Sequence, residues 1–138
     1  MPIRYIKIPE PITLRDPASG AVATMPGANG EQAPVVWDFG TILAKIMSNP
    51  KWSDSLAQMR AQAAIMEAFE AAKAAESHVL ELAEEDWTKL REAVETPRTL
   101  IPETGQVVPG FGLIPSMGRQ LLPLVLPIAD ATTQRPKE

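Results

Sequence analysis

Residues 53–97 read SDSLAQMRAQAAIMEAFEAAKAAESHVLELAEEDWTKLREAVETP, with no glycine and no proline before Pro97. Trp52, Leu56, Met59, Ala63 and Met66 recur at spacings of 4, 3, 4 and 3, the period of one helical face. Ile65, Phe69 and Ala72 widen that stripe. Ser53 is placed to cap the helix, or Asn49 with Pro50 at the first helical position. The spacing predicts a helix over 53–76, roughly 36 Å long at the standard rise per residue. Val79-Leu80-Glu81-Leu82 then reads as a short extended linker or a single strand. Glu84, Glu85 and Asp86 put negative charge on the first turn of a further helix, where the helix dipole favours it. Leu82 and Trp87 form a hydrophobic staple across its start, Leu90 and Val94 continue its apolar face, and Pro97 ends it. That helix is expected over 84–96.

Working outward, Asp38 is a good N-cap for a helix over 38–48, in which Phe39, Ile42, Leu43 and Ile46 line one side and Asn49-Pro50 stops the chain. Proline then divides the sequence. Residues 1–36 hold six, 37–96 hold only Pro50, and the remainder holds seven. Proline fixes φ and donates no backbone hydrogen bond, so both flanks are poor candidates for long helices or central strands. The expected fold is mainly α: a three-helix centre over 37–97 between long Pro-rich extended arms over 1–36 and 98–138. One small β-hairpin is expected at 12–25, with Asp16-Pro17-Ala18-Ser19-Gly20 as its turn. Residues 25–34 and the segment around Gly110-Phe111-Gly112 read as loop. Residues 116–131 read as a short helix or turn, because Pro123 and Pro127 each remove an internal bond.

The totals narrow the function. The 138 residues allow one domain, 45 % apolar but only 5 % aromatic, with a net charge of −4. The basic residues are scattered singly, so no patch offers itself to nucleic acid. The absence of cysteine excludes disulfides and thiolate metal sites and fits a reducing compartment. The start Met1-Pro2-Ile3-Arg4-Tyr5 lacks a signal-peptide core. The longest apolar run, 121–129, is about half of the ~20 residues a spanning helix needs. A soluble protein, cytoplasmic during synthesis, is expected.

Chemistry-bearing residues are sparse. His78 is the sole histidine, with Glu76 and Glu81 the nearest acids; it reads as a solvated loop residue, and Ser77 beside it does not form a nucleophile–base pair. Glu81, Glu84, Glu85 and Asp86 lack the alternation and glycine of a calcium loop and read as a charged helix start. Gly110-x-Gly112 lacks the spacing of a phosphate cradle and reads as a turn displaying Phe111. No catalytic residue, metal site or cofactor is expected, and the chain reads as non-enzymatic.

The arms carry the functional interest. Tyr5, Ile8 and Ile12 at one end, and Phe111, Leu121, Leu122, Leu124 and Leu126 at the other, are large apolar residues in segments that read as unable to satisfy their own backbone. They are the candidate protein-binding residues. Ordering some 70 arm residues costs on the order of 1–2 kcal/mol each in backbone entropy. The arms are open to folding back over their own three helices or to ordering on neighbouring chains, and the entropy cost favours the second. The arm–centre–arm layout resembles small tailed- or isometric-phage virion and assembly proteins, which combine a helical knot with extended termini. The run Leu-Glu-Leu-Ala-Glu-Glu-Asp-Trp-x-x-Leu with its closing Pro97 is the piece most similar to them, within 19 of the 138 residues, and brings no functional residues with it. The resemblance implies a structural or assembly protein, a virion component binding other protein subunits as a homo- or hetero-oligomer, with neither nucleic acid nor membrane as partner. The alternative is a soluble regulatory binder, an inhibitor or adaptor, docking a helical face on one protein.

Overall fold

The 79–83 segment alternates about a buried pair, Leu80 and Leu82, and in the computed structural model it is a strand that binds the start of the chain. The structure describes residues 2–113 and 115–136. In chain order the elements are β1 (Ile3–Lys7), β2 (Ile12–Thr13), β3 (Thr24–Pro26), β4 (Gln32–Pro34), β5 (Val36–Trp37), α1 (Phe39–Met47), α2 (Leu56–Ala74), β6 (Val79–Ala83), α3 (Glu84–Glu95), β7 (Arg98–Ile101), β8 (Gln106–Pro109), α4 (Pro115–Gly118) and α5 (Leu122–Ala129). Among the described residues four antiparallel two-stranded sheets form: β1–β6, β2–β5, β3–β4 and β7–β8.

β1 and β6 pair with Arg4 opposite Leu82 and Ile6 opposite Leu80. Backbone bonds from Ile8 N–H to the His78 carbonyl (2.8 Å) and from Glu84 N–H to the Pro2 carbonyl (3.2 Å) extend the ladder at both ends. The pleat turns Ile6, Leu80 and Leu82 into the core. The outer edge of β1 is used as well: Tyr5 and Thr132 exchange bonds of 2.8 and 3.1 Å, which draws the C-terminal segment onto the N-terminal strand.

Two findings correct the expected mainly-α architecture. First, the fold is mixed α/β, 43 % helix and 23 % strand. The hairpin turn at 16–20 is present, with the Ala18 amide donating to Asp16 Oδ1 at 2.8 Å and Gly20 at φ 73°. Beyond it, 25–34 is not loop, since β3 and β4 make a second hairpin there. Prolines do not prevent this because of where they fall. Gly27 N–H bonds to Glu31 O, and Val35 N–H to Ala23 O. Bonded and non-bonded pairs alternate between those two, so Pro26 and Pro34 sit where an N–H would point away from the partner strand. Pro109 in β8 is placed likewise, next to the bond from Gly110 N–H to Pro97 O.

Second, the arms fold back on their own chain. Ile6 and Leu14 from one, and Leu121, Leu124 and Ile128 from the other, are buried with Phe39, Ile42, Leu43, Trp52, Ile65, Trp87 and Leu90 in a single core. Trp87 joins the parts: its indole donates to the Ile128 carbonyl at 2.8 Å, and the Arg4 guanidinium lies 4.2 Å from the ring centroid. Arg4 also reaches Glu84 Oε1 at 2.8 Å and the Ala131 carbonyl at 3.1 Å. Neighbouring chains are not needed to cover these residues.

The helices form near their expected positions. Asp38 caps α1, accepting from Thr41 N–H at 2.8 Å. α2 starts later than expected because Asn49 caps a separate 3-10 turn at Pro50–Ser53 and Ser55 caps the helix. That turn buries Trp52, whose indole donates to the Ile46 carbonyl at 3.0 Å. The buried face of α2 is Ala61, Ile65 and Ala72; Leu56 and Met59 of the expected stripe are exposed. α5 tolerates Pro123 in its first turn, where an N–H would have no internal acceptor, and Pro127 further in. Among the described residues no helix is long and apolar enough to cross a membrane.

α2 ends in a Schellman arrangement: Ser77 N–H bonds to Ala72 O at 2.8 Å and Glu76 N–H to Lys73 O at 3.1 Å. The left-handed position falls on Glu76, at φ 54°, instead of on glycine. Glu76→Gly is expected to raise stability by about 0.5–1 kcal/mol, the left-handed penalty less the extra unfolded-state entropy of glycine. A urea titration of the two proteins checks this; an unchanged or lowered midpoint contradicts it.

Candidate functional site

Two surface features involve the binding candidates, a cleft beneath the N-terminal segment and an apolar ridge on α5, although Leu56, Met25 and Val36 are more exposed than either ridge leucine. The cleft has a volume of about 680 Å3. One wall is Ile8-Pro9-Glu10-Pro11, leaving the end of β1. The floor is the first turns of α1, from Asp38 to Thr41, together with Ala44. Phe69 and Lys73 of α2, with Ser77 and His78 beyond it, make the far side.

The floor is built by close approach. The Phe39 and Phe69 rings pack with centroids 5.8 Å apart and planes inclined at 54°. A Cβ on Gly40 would lie 3.3 Å from Phe69 Cζ and 3.4 Å from Asp38 Oδ1, so glycine lets the ring rest on the helix. The polar rim is fixed by backbone geometry. The Thr41 amide and hydroxyl donate to Asp38 Oδ1 at 2.8 and 2.9 Å. The Thr41 amide bond, opposed in part by burial and helped by the Thr41 hydroxyl and by Lys73, holds the Asp38 carboxyl below its ordinary range. Ser77 Oγ is 3.2 Å from both the amide and the carbonyl of Val79, and its hydroxyl shapes this turn. Among the described residues no group of three or more histidine, cysteine or acidic side chains is placed to hold a metal ion. In the acidic cluster at the start of α3, burial and then Glu85 push the Asp86 carboxyl up.

The ridge is on the other side of the sequence division. α5 turns Leu124 and Ile128 inward and leaves Leu122 and Leu126 49 % and 47 % exposed, one turn apart. Neither lines the cleft. Of the other binding candidates, Ile8 lines the cleft, Tyr5 is half-buried and bound to Thr132, and Ile12 and Phe111 are half-buried against the core. Leu121 and Leu124 are core residues. The candidates thus do not form one surface. Phe39, Gly40, Phe69 and Lys73 complete the cleft and were not legible as site residues. The one available signal was Gly40, an odd choice in a helix's first turn that only a close neighbour explains.

Comparison with protein-family models, with curated proteins and with solved structures yields no match.

Asp38 generates a pH prediction. Its folded-state pKa is depressed, so its contribution is present above the ordinary carboxylate value and is lost as pH falls through the lower folded value. Asp38→Ala is expected to cost ~1 kcal/mol at neutral pH through loss of the cap. The gap between the two proteins should close as pH drops below about 3.9. Urea midpoints at neutral and acid pH measure it; a gap that persists unchanged in acid contradicts the assignment.

Proposed function

We propose that this chain is a non-enzymatic structural or assembly protein that binds other protein subunits through the outward face of its C-terminal arm. The observation that carries the reading is the Leu122–Leu126 ridge. An eight-residue helix has enough apolar side chains to seal its contact with α3 using Leu124 and Ile128, yet it keeps two further leucines in water. Burying a leucine is worth roughly 1.5–3 kcal/mol, so a partner that covers this pair gains in proportion. The setting in a phage particle rests on the sequence likeness of the 79–97 run alone. The cleft favours a second reading, a regulatory binder that receives one segment of one partner, because a groove of this size suits a single inserted element.

The test is the sedimentation of a tagged chain in lysate of its source cells. Leu122→Asp/Leu126→Asp serves as the comparison. Assembly predicts that the wild-type chain runs in a large particle holding several copies, and that the double variant, folded by circular dichroism, runs free. A one-to-one complex, or free chain in both cases, contradicts it.

A further inference from the structure

The cleft between the N-terminal segment and α1 sets a carboxylate and an ammonium near each other above an aromatic floor. We propose that it binds a small zwitterion with a flat apolar body, the class to which free aromatic α-amino acids belong. This site is separate from the α5 ridge, whose two leucines do not line it.

Size and lining admit such a ligand. The cleft's volume of about 680 Å3 falls within the ~300–1,000 Å3 of small-molecule sites, which pair apolar walls with a few polar groups. Ile8, Pro9 and Pro11 are the apolar part of the wall, and Phe39 and Phe69 are the floor. Phe39 is buried, but Phe69 is only half-buried and keeps ring surface for a further aromatic group. Aromatic rings gain from offset or edge-on contact beyond the area they bury.

The charges narrow the class. Both Thr41 bonds to Asp38 fall on Oδ1. A carboxylate has about four acceptor positions, so Oδ2 is left to accept from a ligand. Lys73 is near enough to help hold the Asp38 carboxyl in its charged form, yet among the described residues the two make no ion pair. A ligand can therefore satisfy both. A simple amine would meet Lys73 as a like charge, and a simple carboxylate would meet Asp38 and Glu10 in the same way. An α-amino acid carries its ammonium and carboxylate on one carbon, side by side as the cleft's own charges are. It presents the ammonium to Asp38 and the carboxylate to Lys73, with its ring on Phe69. The backbone of an internal protein segment has neither charge.

Titration of the full chain, followed by two-dimensional amide NMR, tests the site. Phenylalanine, tyrosine and tryptophan are added in turn, and the amides of Gly40, Thr41 and Lys73 should shift. Phenethylamine, 3-phenylpropanoate and alanine lack the carboxylate, the ammonium and the ring respectively, and each should bind about tenfold more weakly or worse, since a charged hydrogen bond or a buried ring is lost. Two variants place the charges. Asp38→Asn keeps the helix cap, because asparagine caps as well as aspartate, and should weaken the amino acid about tenfold without weakening 3-phenylpropanoate. Lys73→Gln should weaken the amino acid without weakening phenethylamine. No shift with any of the three amino acids overturns the inference. So does binding that both variants leave intact, or binding of phenethylamine or 3-phenylpropanoate as tight as that of phenylalanine. N-acetyl-phenylalaninamide binding as tightly as phenylalanine overturns it as well, and leaves the cleft to a segment of a protein chain.

Discussion

The pairing of β1 with β6 is the constraint on which the rest of the structure depends. It closes a loop of 71 residues between Lys7 and Val79 and lays the first strand where Ile6 meets Leu80 and Leu82. Closing a long loop costs little more than closing a medium one, since the entropy grows only with the logarithm of length. Once β1 is in place its outer edge bonds Thr132, and Arg4 stacks on Trp87 while reaching Glu84 and the Ala131 carbonyl. Trp87 in turn holds the Ile128 carbonyl. Three parts of the sequence therefore meet at one strand pair. α5, which carries Leu124 and Ile128, packs on β1 as well as on α1 and α3. The cleft has the same origin, since its first wall is the continuation of β1 as Ile8-Pro9-Glu10-Pro11.

The helices were largely legible, because caps and apolar spacing are local. Asp38, the acidic first turn of α3 and Pro97 mark boundaries that the structure reproduces within a few residues. β6 and the turn at 16–20 were legible, but β3–β4 and β7–β8 were not, for a reason specific to proline. Its missing N–H matters only where the partner strand would have accepted it. Pro26, Pro34 and Pro109 each occupy the half of the ladder in which the N–H faces outward. A single sequence shows how many prolines there are but not their register, and register is what decides. The α2 stripe failed differently. Trp52 belongs to a separate turn, Ile65 and Ala72 of the expected stripe are buried together with Ala61, and Leu56 and Met59 lie on the outward side.

The candidate site was legible only in part. Leu122 and Leu126 were named with Leu121 and Leu124 as one apolar run, and nothing in the sequence separates the two pairs. The helical turn does so, sending one pair to the core and the other to solvent. The cleft joins residues from three distant segments, and its floor depends on the absence of a side chain at Gly40. Such a feature has no local pattern. What emerges is a chain whose arms are structural on their inner face and, in the proposed function, adhesive on their outer one.

The central claim is that the arms are ordered by their own chain, and hydrogen exchange on a dilute monomer tests it most directly. The account predicts that the amides of Tyr5, Ile8, Leu14 and Thr132, each bonded across the fold, exchange as slowly as those in the middle of α2 and α3. Fast exchange at those four positions in the monomer, with protection appearing only on association, would contradict it.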